Sequence, residues 1–176
     1  GARDTLGTRA ARFGDGRAHS VGGVPARALT KAIVGLEPRR VEVEAHLTGS
    51  DVPTFTIVGL GDRACQEAKH RVRAGVMCAL LEWPKKTITV NLAPAALRKE
   101  GSGFDLAIAL SVLAASEQIP RDRLLAHACV GELALDGRVR AVPGVLAVAE
   151  GAARSGVARV LCAAAAAPEA ALAGVD

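Results

Sequence analysis

The sequence predicts an α+β fold built on a mixed sheet. Three observations carry that expectation. Apolar residues alternate at period two in several short runs, two longer runs repeat at helical period, and an Asp-Gly pair marks a hairpin late in the chain. In chain order these give strands, helix, strand, helix, hairpin, helix and strand. That succession fits one α/β or α+β domain of about 145 residues.

Residues 1 to about 27 carry few apolar residues and no period, and read as a disordered leader before a domain at 28–176. Leu29 to Val34 reads as a strand and Gly35-Leu36-Glu37-Pro38 as a turn. Val41, Val43, Ala45 and Leu47 then alternate with Glu42, Glu44 and His46, the pattern of a half-exposed strand. Phe55, Ile57 and Val58 make a third strand. Gly59-Leu60-Gly61-Asp62 leads into a helix from about Arg63 to Glu82. Ala64, Ala68, Val72, Val76 and Leu80 form its apolar face, and Glu67 and Arg71 are spaced as an i,i+4 pair. Trp83-Pro84 ends it.

Lys86 to Leu92 alternates again, as a strand. Phe104 to about Ser116 is apolar almost all round, which predicts a helix buried on most sides. Arg121 to Leu125 reads as a polar turn, His127 to Leu135 as a strand, Asp136-Gly137 as the hairpin turn and Val139 to Val142 as the return. Pro143 suits the first turn of a helix over 144–155, with Gly156 as its stop. Val157 to Cys162 is a last strand. The Ala-rich end, Ala163 to Asp176, reads as a segment that closes no unit, and the natural protein is expected to continue.

Composition narrows the class. Half of the residues are apolar, but aromatics are scarce, with three Phe, one Trp and no Tyr, so the core must be Val, Leu, Ile and Ala. The net charge of +4 permits nucleic-acid contact without requiring it. The four cysteines, Cys65, Cys78, Cys129 and Cys162, form no Cys-x-x-Cys pair, and no histidine completes a zinc site. They read as reduced, buried thiols of a cytoplasmic protein. His46 and His70 read as surface residues. No signal-peptide pattern and no apolar run of transmembrane length occurs, so a membrane is not an expected partner.

The stretch Asn91 to Leu110 is the candidate site: a strand runs into a glycine-flanked polar turn, and an apolar helix leaves it. Ser102 followed by Asp105 reads as a capping box. The Ser102 hydroxyl would accept from the Asp105 amide, and Asp105 would reach back and complement the helix dipole. That role occupies the hydroxyl and argues against a nucleophile, which needs a base beside it. Lys99 is the only adjacent candidate, in what reads as an exposed loop. Arg98 and Lys99 are instead the candidate contacts to an anion or phosphodiester, or else simply a solvated basic pair, with Gly101 and Gly103 serving the turn. The pair Gly59 and Gly61 lacks the third glycine of a dinucleotide fingerprint, and no GxxxxGK[ST] occurs, so ATP hydrolysis by this chain is not expected.

Several runs together resemble one family: Val34-Gly35-Leu36-Glu37, Val41-Glu42-Val43-Glu44, Phe55-Thr56-Ile57-Val58-Gly59-Leu60, Ile88-Thr89-Val90-Asn91-Leu92-Ala93-Pro94, Leu97-Arg98-Lys99-Glu100-Gly101-Ser102-Gly103-Phe104-Asp105-Leu106 and Val130-Gly131-Glu132-Leu133. In order, and from about Leu29 to Cys162, they are similar to the N-terminal domain of the YifB/ComM-type Mg-chelatase-like AAA+ proteins. The resemblance implies a ribosomal-protein-S5-domain-2-like fold, shared with the proteolytic domain of Lon and the C-terminal domain of RadA. It also implies a following AAA+ ATPase module, which alone would use ATP and Mg²⁺, and a hexameric ring acting on DNA in branch migration during natural transformation.

Lon carries Lys-Asp-Gly-Pro-Ser-Ala-Gly at this loop, with the Ser as nucleophile. Placing Lys99-Glu100-Gly101 on Lys-Asp-Gly sets Ser102 on the Pro and Gly103 on the Ser. Leu146 falls where Lon has its catalytic Lys. Both members of the dyad are missing, and a leucine cannot act as a general base. The expectation is therefore a non-catalytic Lon-like domain of a DNA-acting motor. The alternatives are a Ser–Lys peptidase and a structural or regulatory oligomerisation module.

Overall fold

The computed structural model describes residues 23–59 and 61–176. Most of the expected leader lies outside the described residues, but its last five positions, 23–27, do not. Strand β1, Ala26–Val34, already includes Ala26 and Arg27.

β1 pairs antiparallel with β2, Glu37–Thr48. The turn is tighter than the four residues expected. Only Gly35 and Leu36 lie between the strands, Gly35 with a φ of +63°, while Glu37 and Pro38 already face Val34 and Ile33. β3, Phe55–Val58, does not extend this hairpin. Helix α1, Arg63–Cys78, carries the chain over the sheet, and β4, Thr87–Ala93, inserts between β3 and β2, parallel to the first and antiparallel to the second. Helices α2, Asp105–Ala115, and α3, Arg121–Leu124, follow. The latter is the segment expected as a polar turn. β5, His127–Cys129, then pairs parallel with β1, and β8, Arg159–Leu161, parallel with β5. The strand order is β3-β4-β2-β1-β5-β8, a mixed sheet of six strands in an α+β fold.

The strand expected over 127–135 is broken at Val130-Gly131. The Gly131 amide donates to the Gly103 carbonyl at 3.0 Å and its carbonyl accepts from Leu106 at 3.1 Å, so neither group is free for a ladder. Beyond the break, β6, Glu132–Leu133, and β7, Val139–Arg140, form a separate small hairpin, and α4, Val145–Arg154, returns to the sheet.

The alternation in the sequence sets the core. Val41, Val43, Ala45 and Leu47 of β2, with Ile88, Val90 and Leu92 of β4 and Ile57 of β3, point to one face and are buried under α1 and α2. α4 covers the end of the other face, where a Cβ on Gly151 would stand 2.7 Å from Pro38. The rest of that face is polar, with Arg27 paired to Glu44 at 2.9 Å and Arg40 to Glu42 at 2.8 Å.

Two expectations about α1 are corrected. Its buried face is Cys65, Ala68, Val72, Gly75 and Val76, rotated slightly from the one proposed. It stops at Cys78, not Glu82. The Leu80 amide donates to Met77 and the Leu81 amide to Val76, with Leu80 left-handed at φ +61°. This is a Schellman ending with leucine where glycine is usual, so the Leu80 side chain is turned out to solvent, 93% exposed.

The Ala-rich end also differs from expectation. A 3₁₀ turn, Ala164–Ala166, and helix α5, Ala167–Ala171, place Ala166, Ala170 and Val175 against Val145, Val148 and Ala149 of α4. The Asp176 amide donates to Ala158 at 2.8 Å and its carbonyl accepts from Val160 at 2.7 Å. The segment thus covers the β8 edge. Among the described residues, no helix is long and apolar enough to cross a membrane.

All four thiols are free, but only Cys65 and Cys129 are buried; Cys78 is exposed and Cys162 half-buried. Burial pushes both Cys65 and Cys129 up to about 12. Iodoacetamide at mildly alkaline pH is therefore expected to modify Cys78 in the folded chain and to spare Cys65 and Cys129 until denaturant is added. Peptide mass mapping checks this, and rapid native-state alkylation of Cys65 would contradict the packing of α1.

Candidate functional site

The loop between β4 and α2 is held against the start of α1. Asp62 is the N-cap of that helix and accepts from the Cys65 amide at 2.9 Å. Its second carboxylate oxygen accepts from the Gly101 amide at 3.0 Å, and its own amide donates to the Lys99 carbonyl at 3.0 Å. Burial alone would raise the Asp62 carboxyl, but the Cys65 and Gly101 amides outweigh it and hold it below the ordinary carboxylate range. The Cys65 thiol adds contacts to the carbonyls of Gly101, at 3.3 Å, and Lys99, at 3.6 Å. Gly101 sits at φ +84°, the left-handed turn that its lack of a Cβ permits.

Lys99 is not on the surface. It is fully buried, and its ammonium donates to the Gly59 carbonyl at 2.7 Å and to the Pro94 carbonyl. Burial lowers its pKa from the usual lysine value. This corrects the expectation that Lys99 lies in an exposed loop, whether as a contact to an anion or as half of a solvated basic pair. Arg98 alone is exposed, and it pairs with Glu100 at 2.8 Å. The reason lies in Gly59, whose φ is +107° and whose Cβ, if present, would stand 2.3 Å from the Leu92 carbonyl. Only glycine can sit this close to Leu92 and so bring its own carbonyl, that of Gly59, in range of the amine.

The capping box does not form. The amide of Asp105 donates to the main-chain carbonyl of Ser102 at 3.2 Å, and α2 begins with no side-chain cap. The Ser102 hydroxyl instead donates to the Glu132 carboxylate, which also faces Arg140 at 3.5 Å. Asp105 turns away from the helix end into the protein. It is fully buried and accepts from the Arg71 guanidinium at 2.6 and 3.0 Å and from the Leu133 amide at 3.1 Å. Burial pushes the Asp105 carboxyl up, against the opposing pull of Arg71 and Leu133. The hydrogen bonds to Asp105 hold Arg71 above its usual value. Arg71 was expected to pair with Glu67, which takes Arg63 instead, at 2.8 Å.

Ser102 and Gly103 line an open cavity of about 330 Å³ with Ile33, Val142 and Val148. Leu146, at the position of the Lon lysine, gives its amide to Glu169 at 3.0 Å. Among the described residues the one amine lining the cavity is Lys31 of β1, and its Nζ donates to the Ser155 hydroxyl at the end of α4, at 2.7 Å. Burial, followed by Arg40 and Arg154, lowers the Lys31 pKa. Sequence reasoning missed Asp62, Arg71, Glu132 and Lys31. Asp62 had a signal, an aspartate directly before a periodic helix; the other three depend on tertiary packing.

Fold and loop define an α+β domain whose glycine-rich loop is closed on itself by a buried lysine. The chain belongs to the family of the Mg-chelatase subunit ChlI, whose model matches residues 41–166. It is similar to YifB of Escherichia coli, 44% identical over 127 residues that make up 72% of this chain and 25% of that protein. It is also similar to the competence protein ComM of Haemophilus influenzae, 46% identical over 117 residues, 66% of this chain and 23% of that one. An uncharacterized protein of Mycobacterium tuberculosis is 44% identical over 151 residues, 85% of this chain and 30% of its own length. The chain thus spans about a quarter of the length of these relatives.

Among the described residues no three His, Cys, Asp or Glu side chains gather as a metal ion would need, and the N-terminus of α1 is capped by Asp62.

Replacing Arg71 by alanine strands a buried carboxylate, which costs about 3 to 5 kcal/mol when one partner of a buried pair is removed. Urea denaturation should show a loss near the lower end of that range for Arg71→Ala, since Arg71 is 20% exposed. A loss under 1 kcal/mol would mean that the Arg71–Asp105 pair contributes little to stability.

Proposed function

We propose that this chain is a non-catalytic Lon-like domain of a Mg-chelatase-like AAA+ ATPase that acts on DNA, where it contributes to ring assembly and to DNA contact. The observation that supports the non-catalytic half is the setting of Ser102. Its hydroxyl donates to Glu132, and the amine of Lys31 is held by Ser155. The one amine that lines the cavity with Ser102 among the described residues is thus bonded elsewhere, and the Ser–Lys pair of a Lon-type dyad is not formed. Leu146 supplies no base. The DNA half is supported by the likeness to a competence protein and by the basic balance of the chain.

The Ser–Lys peptidase is the second reading, since a serine and a lysine do line one cavity. A serine-reactive fluorophosphonate separates the two. No label on Ser102 is expected, and stoichiometric labelling would establish a nucleophile.

For DNA, anisotropy of labelled duplex and single-stranded oligonucleotides is expected to show affinity falling steeply between about 50 and 200 mM salt. If Arg98 touches a phosphate, Arg98→Ala should reduce the logarithmic salt slope by about 0.7 to 0.9. Absence of DNA binding at low salt would remove DNA contact from the function of this domain.

A further inference from the structure

We infer that a groove between α1 and β3, remote from the loop, is a binding site for single-stranded DNA. The inference rests on the DNA reading above and names a surface for it. The groove is open, about 520 Å³ in volume, and lies where the second half of α1, the start of β3 and the segment before β4 meet. Two kinds of side chain converge there.

The first kind is aromatic. In a chain with one Trp, three Phe and no Tyr, Trp83 and Phe55 line this groove, with ring centroids 5.2 Å apart and planes at 55°. Both are half-buried, whereas Phe104, the other aromatic residue among those described, is buried in the core. Phe55 packs against the edge of the core and supports Trp83 at the surface, which leaves a rigid platform on which a base can stack. Met77, half-exposed on α1, adds a soft apolar wall.

The second kind is cationic. Arg73, Lys85 and Lys86 line the same groove and are exposed. Most exposed arginines among the described residues are matched by a carboxylate, including Arg27 by Glu44, Arg39 by Glu37, Arg40 by Glu42, Arg63 by Glu67, Arg98 by Glu100 and Arg138 by Asp136. Arg73, Lys85 and Lys86 have no such partner among the described residues, and no Asp or Glu lines the groove. A polyanion is the complement of that charge. Aromatic faces interleaved with unmatched cations select a polyanion with flat apolar rings, which is a single strand with unstacked bases. A duplex buries its base faces and cannot use the aromatic platform.

Trp83 is the only tryptophan of the chain, so its fluorescence reports on this groove alone. The 176-residue chain is titrated with oligo-dT of about 20 nucleotides, following both Trp83 emission and anisotropy of a labelled strand. Saturable quenching is expected at the concentrations that raise the anisotropy. Trp83→Leu should weaken binding about 5- to 150-fold, the range of one base–aromatic stack, while Trp83→Phe restores most of it. Arg73→Ala/Lys85→Ala/Lys86→Ala changes only exposed side chains and should lower the logarithmic salt slope by about 2, at 0.7 per lost phosphate contact on a single strand.

Strand binding with unmoved Trp83 emission and wild-type affinity in the triple variant would overturn the groove and leave the DNA reading intact. Absence of any binding to DNA would overturn both. Equal quenching by an oligoglutamate peptide, with displacement of the strand, would make the groove a site for acidic peptides and overturn the assignment to DNA.

Discussion

The buried ammonium of Lys99 is the constraint on which the candidate site depends. A charged amine taken out of water is costly unless its protons find acceptors, and here two carbonyls take two of the three, from Gly59 at the end of β3 and from Pro94 at the start of the loop. These acceptors lie 40 and 5 residues away in the chain. The amine therefore ties together two connections that would otherwise be independent. The Lys99 main chain joins the same arrangement, since its carbonyl accepts from Asp62 and it pairs with Gly61 in an isolated bridge. Asp62 in turn caps α1 and holds the Gly101 amide. The loop thus has the shape of a site and the bonding of a core.

The second buried charge, Asp105, extends this network to the small hairpin. Its carboxylate accepts from Arg71 on α1 and from the Leu133 amide on β6, and the Ser102 hydroxyl reaches Glu132 of the same strand. α1, α2 and β6 are oriented relative to one another through these few polar contacts, which is geometry that apolar packing of Ala and Val specifies poorly. A loop fixed from three sides in this way is suited to positioning, and less suited to a catalytic cycle in which a hydroxyl must change partners.

The sheet was legible in the sequence wherever one face is wet. Val41, Val43, Ala45 and Leu47 alternate with charged residues because α1 and α2 cover only one side of β2, and the structure shows that pattern residue for residue. The loop chemistry was not legible, for a definite reason. A lysine between arginine and glutamate in sequence looks solvated, and its burial follows from a carbonyl 40 residues earlier that only a glycine at position 59 brings close. Ser102 and Asp105 have cap spacing, yet the tertiary partners Glu132, Arg71 and Leu133 compete for both side chains and win, because charge-assisted contacts outweigh a local cap. The C-terminal alanines carried no period strong enough to read, and their order comes from packing on α4.

The distribution of charge decides where an anionic partner can act. Exposed ion pairs contribute little to stability, about 0 to 1 kcal/mol each, but they do cancel the local field that would draw in a polyanion. Arg98 is cancelled by Glu100 in this way, and Lys99 is withdrawn from solvent, so the loop that looks most like a binding site offers little net attraction. The excess that gives the chain its charge of +4 is felt where cations stand without carboxylates. One such place is the groove of Arg73, Lys85 and Lys86, which is also where the accessible aromatic rings gather. A loop resembling a protease site has become internal structure, and the surface chemistry suited to nucleic acid lies at the far end of α1.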